Sequence, residues 1–205
     1  MKKHILVALV LITITISGCL VLSLYPIYTE DTLVKLDGLE GTWMQNDSSS
    51  WSFKLDTTQL YKVTINEFER TISSPEENSS DTTFKFKGIN EYSGGLTKIN
   101  GVYFLDLLPE KINDSSGSIH SIHFIYGHSI SKLQMKGDSL LIVFLDYDWI
   151  NDSKKKIKKS VGYIKSEKNA ILTASTKDLR KFLSKFANDT NAFPENDNYM
   201  IKVKK

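Results

Sequence analysis

Cysteine occurs once in this chain of 205 residues, at position 19. A lone cysteine excludes an internal disulfide, a thiolate-built zinc site and a paired redox motif. Four prolines and eleven glycines are too few for a collagen-like or low-complexity chain. An excess of one charge sign is also lacking. The 26 Lys and Arg stand against 24 Asp and Glu, without the basic face that nucleic acid demands. No G-x-S-x-G elbow, P-loop or G-x-G-x-x-G is present, so the usual backbone devices for a serine nucleophile or a phosphate are missing. With no reaction written in its motifs, the chain reads as non-enzymatic and needs no cofactor. Nine Tyr, ten Phe and three Trp supply a core held by packing alone.

The N-terminus carries the strongest signal. Met1-Lys2-Lys3 precedes an apolar core from Ile5 to Ile16, and Ser17-Gly18-Cys19 follow. A basic start, an apolar core and small residues before a cut make a secretory signal. Ile16-Ser17-Gly18-Cys19 resembles the lipobox of bacterial lipoproteins. The resemblance implies cleavage before Cys19 and acylation of that cysteine, palmitate included, with two or three chains. Two chains hold a membrane firmly where one holds it marginally. Lys2 and Lys3 keep the N-terminus inside, which places the body in the cell envelope on the non-cytoplasmic side. Leu20 stands where some inner-membrane lipoproteins carry a retaining aspartate, which favours the outer membrane where one exists. A second reading stays open. No charged side chain occurs between Ile5 and Thr29, enough for an uncleaved anchor at ~20 residues per span.

Cleavage would remove Lys2 and Lys3, balance the mature charges and leave no free thiol. The expected organisation is a signal peptide over 1–18, a lipidated tether over 19–37 and one β-rich domain over 38–193. A polar tail follows over 194–205, ending in a short edge strand from Met200 to Val203. Pro26 breaks any helix that might continue into the tether.

From Leu39 onward the dominant period is two. Trp51–Leu55, Tyr61–Ile65 and Thr83–Lys87 alternate as half-buried strands. Val102–Leu108, Ser121–Tyr126 and Leu140–Leu145 are more continuously apolar and read as central strands. Turn-rich separators stand at 46–50, 73–81, Ser93-Gly94-Gly95, 113–118 and Lys136-Gly137-Asp138. Most gaps have no room for a crossover helix, so the sheet is antiparallel, a barrel or a sandwich. Asp148 to about Lys158 reads as a short helix. A clearer one spans about 176–187, where Ser175 and Asp178 resemble a capping box and Leu179, Phe182, Leu183 and Phe186 form one apolar stripe.

Gly41-Thr42-Trp43 at the first strand, eight or so antiparallel strands and a late amphipathic helix after the last one together resemble the lipocalin-like barrels. The resemblance implies that Gly41 and Trp43 plug a closed end and that the barrel encloses a small apolar ligand or lipid. The aromatics Trp43, Trp51, Phe53, Tyr61, Phe84, Phe86, Phe104 and Phe124 are the inward-facing candidates, with core packing as the default for each. The family also packs an Arg from the end of its last strand across the Trp. Ile171–Ser175 holds no Arg here, and Arg180 lies a turn into the helix instead. Its T-D-Y motif is only echoed by Leu145-Asp146-Tyr147. An interaction or assembly module of the envelope, with no cavity, is the reading from another class.

Other candidates have plainer explanations. His120 and His123 point to opposite faces of one strand, and His120 and His128 lie ~26 Å apart if that strand is straight; no metal site is expected. Asp106, Asp146 and Asp148 stand near strand ends, where an acid/base pair needs ~5–9 Å separation, but ending strands or capping a helix is their commoner use. Lys154–Lys159 is the densest charge run and reads as a solvated face, although anionic headgroups would also attract it.

Overall fold

The alternating segments hydrogen-bond to one another in chain order. The computed structural model describes residues 20–45, 49–72, 82–110, 126–166 and 169–204. Strands β1 (Leu20–Ser23), β2 (Gly41–Gln45), β3 (Ser49–Leu55), β4 (Tyr61–Ile72), β5 (Thr82–Ile99), β6 (Val102–Pro109), β7 (His128–Lys136) and β8 (Ser139–Phe144) come first. Helices α1 (Tyr147–Asp152) and α2 (Lys155–Ser160), strands β9 (Tyr163–Lys165) and β10 (Asn169–Leu172), helix α3 (Thr176–Phe186) and strand β11 (Met200–Lys202) follow.

Strands β2 to β8 form an antiparallel meander. β11 enters between β8 and β2, and β6 pairs with β7. The result is a closed eight-stranded antiparallel barrel of lipocalin-like layout rather than a sandwich, with no open edge in its ring. At its start, β7 also pairs with β1 through Leu22↔Ser129 and Ser23↔His128. β1 in turn runs parallel to β10, and β10 pairs with β9. A small side sheet therefore grows out of the barrel wall.

Two apolar layers follow from the period of two. One face of the strands fills the barrel: Trp43, Phe53, Tyr61, Val63, Leu96, Leu105, Leu133 and Leu140 are buried together. The other face of β6, β7 and β8 supplies Phe104, Ile130, Leu141 and Val143 to a second layer beneath the helices. There α3 lays down Leu179, Phe182 and Leu183, and Phe104 meets Phe193 edge to face at 5.6 Å. α3 forms over the expected span, and Ser175 Oγ accepts from the Asp178 amide as its N-cap. It precedes the closing strand β11, however, rather than following the last one.

Several expectations are corrected. The stretch read as a tether is folded: Leu20–Ser23 is a sheet strand, residues 24–33 strap down the outside of the barrel, and Val34, Leu36 and Leu39 pack with its interior cluster. The strap is held by Ile27 N–H to Asp106 Oδ2 at 2.8 Å, by Arg180 Nη1 to Ile27 O at 2.9 Å and by the Leu33↔Thr97 bridge. A helix continuing to Thr29 is incompatible with this course. The polar tail contains β11, which is a closing strand and not an edge. Gly94-Gly95 is no turn but the middle of β5. A Cβ on Gly95 would lie 2.1 Å from the Tyr28 ring, and one on Gly94 would lie 2.9 Å from Val63 Cγ2. The single helix expected from Asp148 is two, broken at Ser153 and Lys154, with Asp146 as the N-cap of the first through Trp149 N–H at 2.6 Å. The expected strand at 121–126 and the separators at 73–81 and 113–118 lie outside the described residues, apart from Tyr126, which is not in a strand.

Candidate functional site

The two ends of the barrel differ. At one end Trp43 is fully buried, and its indole N–H donates to Leu39 O at 2.8 Å. Leu39, Tyr61 and Leu96 close around it, and the Tyr61 hydroxyl accepts the Leu36 amide at 3.1 Å. Burial pushes the Tyr61 phenol above its ordinary value despite that hydrogen bond. Lys202, the last residue of β11, sets its ammonium 5.1 Å from the Trp43 ring centroid and donates to Gly38 O. Lys202 thus packs on Trp43 from the end of the last barrel strand, which is β11 and not β10. Gly38 holds φ +88 at the turn before β2, a conformation glycine adopts without strain.

Among the described residues, the other end is not filled. A cavity of about 330 Å³ is lined there by Leu20, Leu22, Ser49, Trp51, Ile65, Glu67, Tyr92, Leu107, Pro109, Gly127, Ser129 and Phe144. Its size is at the lower limit of the ~300–1,000 Å³ typical of small-molecule sites. The lining comes from six barrel strands, β3 to β8, and from β1. Closure by β11 reaches only Leu140 and Ser139 on the β8 side. Among the described residues, Phe144 of β8 and Trp51 of β3 both line the cavity beyond that seam.

Four polar side chains punctuate this apolar wall: Ser49, Ser129, Tyr92 and Glu67. The Tyr92 phenol is held above its ordinary value by burial, with the Glu67 carboxylate adding to the effect. Glu67 sits at a register shift between β4 and β5, a β-bulge of the kind that re-aims side chains at barrel rims. An apolar body with a few polar groups at one edge suits a molecule with a tail and a small polar head. Wider grooves, of about 810 and 830 Å³, run along α3 and beside α1 on the outer surface. Neither is lined by interior barrel residues.

The aromatic candidates divide. Trp43, Trp51, Phe53 and Tyr61 belong to the barrel interior, but Trp51 alone of these lines the cavity. Trp51 stacks with Phe53 at 6.3 Å. Phe104 is buried on the opposite face, under α3, and Phe86 is 52% exposed; both are corrections of the inward reading. The Phe84 side chain and Phe124 lie outside the described residues, as do Cys19, His120 and His123.

His128 Nδ1 lies 2.6 Å from Asp106 Oδ1, so Asp106 is not a strand-end acid but a buried link between wall and strap. Asp146 caps α1, and Asp148 lies in its first turn. Among the described residues, no three His, Cys, Asp or Glu side chains converge as a metal site. Sequence reasoning overlooked Leu20, Leu22, Tyr92, Ser129 and Phe144. Alternation alone could have found Phe144, while the β1 pair depended on a long-range pairing. No protein-family model, curated protein or solved structure matches this chain.

Proposed function

We propose that the protein is a lipid-anchored lipoprotein of the cell envelope that binds a small apolar ligand or lipid in its barrel mouth. The observation that carries this reading is the apolar cavity at one end, opposite an end packed solid around Trp43. The lipobox supplies the anchor. Its rival, an uncleaved helical span, is weakened because β1 claims the chain from Leu20 onward. Only the fifteen positions from Ile5 to Cys19 remain before it, fewer than the ~17–25 a bilayer requires.

Intact mass of the protein extracted from membranes tests the anchor: a mature, acylated mass is expected, and a precursor mass without lipid refutes it. Native mass spectrometry tests the cavity. Bound lipid is expected on the wild type and is lost in Ser129→Phe, where a ring fills the mouth. A clean apo mass, with no uptake of a fluorescent fatty acid, refutes the ligand reading.

A further inference from the structure

The mouth end carries more apolar surface than its cavity accounts for. β3 ends its pairing with β4 at Glu67, and β6 ends its pairing with β5 at Tyr92. Beyond these points β4 and β5 continue as a two-stranded ribbon to Ile72 and Thr82. Five residues past Glu67 at ~3.4 Å each carry it about 17 Å beyond the rim. At the ribbon's base Phe68 meets Phe86 edge to face at 6.1 Å. Phe86 and Ile89 remain 52% and 57% exposed. The register sets Ile89 opposite Asn66 and Phe86 opposite Phe68, so the three apolar residues share one face. Lys87, between them, keeps its ammonium 3.8 Å from Glu67. Clustered exposed apolar side chains beside a lysine mark a surface that meets something less polar than water.

The chain itself indicates what that is. Leu20 lines the mouth, and a trans peptide sets the next Cα 3.8 Å away. The chain therefore enters its first described strand at the same end as the ribbon. Acyl chains on Cys19 would hold this end, and no other, against a bilayer.

We propose that the barrel sits mouth-down on a phospholipid bilayer, with Phe68, Phe86 and Ile89 seated in the interface and the cavity opening toward the lipid. The seating rests on acylation of Cys19. The bulge at Glu67/Phe68 bends the ribbon, so that its apolar face, and not its polar tip, meets the headgroup boundary, which such a face enters by ~5–10 Å. Lys87 then lies at headgroup level, where anionic lipid attracts it. An apolar ligand exchanges between bilayer and cavity without crossing water.

The test uses the full acylated protein in vesicles of phosphatidylethanolamine and phosphatidylglycerol. Acylation of Cys19 uses the chain's one thiol, so an introduced cysteine is labelled uniquely. Nitroxides are placed at Ile89→Cys and Phe86→Cys on the ribbon and at Lys54→Cys, exposed near the closed end. Both ribbon labels should be relaxed by oxygen and lose relaxation by a water-soluble nickel chelate, with the opposite pattern at position 54. Ribbon labels as open to nickel as position 54 overturn the seating, and an unacylated intact mass overturns it through its premise. Shielded ribbon labels on a protein whose cavity binds no lipid uphold the seating and reject the ligand reading alone.

Discussion

Replacing Asp106 with alanine should cost about 4 kcal/mol. The carboxylate is fully buried and takes the Ile27 amide on one oxygen, while the other lies against the His128 ring. A hydrogen bond to a charged group contributes ~1.5–3 kcal/mol, and the Asp106 carboxylate makes two. With a urea slope of ~2 kcal/mol per molar, the unfolding midpoint should fall by about 2 M. Asp106→Asn keeps the shape and one acceptor and should cost roughly half as much. A local readout separates the strap from the rest of the fold. The Ile27 amide should lose its hydrogen-exchange protection in Asp106→Ala while amides of β3 and β4 keep their order of protection. A cycle with His128→Ala should return a coupling of ~1–3 kcal/mol. A loss below ~1 kcal/mol, with the Ile27 amide unchanged, would refute the claim that Asp106 fastens the strap to the wall.

Other outcomes follow from the same geometry. Lys202→Met should lower stability by ~1–2 kcal/mol through the lost Trp43 contact and alter the tryptophan near-UV circular dichroism; an unchanged spectrum refutes the contact. Gly95→Ala should cost ~1–3 kcal/mol by pushing the Tyr28 ring off β5, read by thermal unfolding, and a neutral result would place Tyr28 elsewhere. Burial holds the phenols of Tyr28, Tyr61 and Tyr92 above the ordinary value. The unfolded chain therefore releases those protons first. Stability present below pH ~10 is lost as pH rises from there toward the folded values. Denaturant titration from pH 8 upward should show that decline, with a late-titrating class of tyrosines in the ultraviolet spectrum.

Local signals in the sequence were legible where physics is local. The alternation of β3 and β4, the stripe and cap of α3 and the Lys136-Gly137-Asp138 turn all depend on neighbours within a few residues. Gly41 and Trp43 marked the first barrel strand because their pattern is compact. Failures came where a distant partner overrode local composition. Gly94-Gly95 has the composition of a turn, yet stands mid-strand because the Tyr28 ring and Val63 leave no room for a Cβ. Leu20–Ser23 continues the apolar run that begins at Ile5, and only β7 and β10 make it a strand. Met200–Lys202 is a short apolar remnant in a polar stretch, defined as a strand by β2 and β8 alone. The cavity was illegible for the same reason, since its wall gathers residues from Leu20 to Phe144.

Closure by β11 has a consequence for the order in which this molecule becomes itself. The barrel joins position 43 to position 202, so its first strand waits for the last of the described strands. Until then β2 to β8 form an open curved sheet whose two free edges offer unpaired amides and carbonyls to any other chain. Such long-range closure slows folding and prolongs that exposure. Three residues, Met200 to Lys202, thus decide when the sheet stops being sticky and closes on itself.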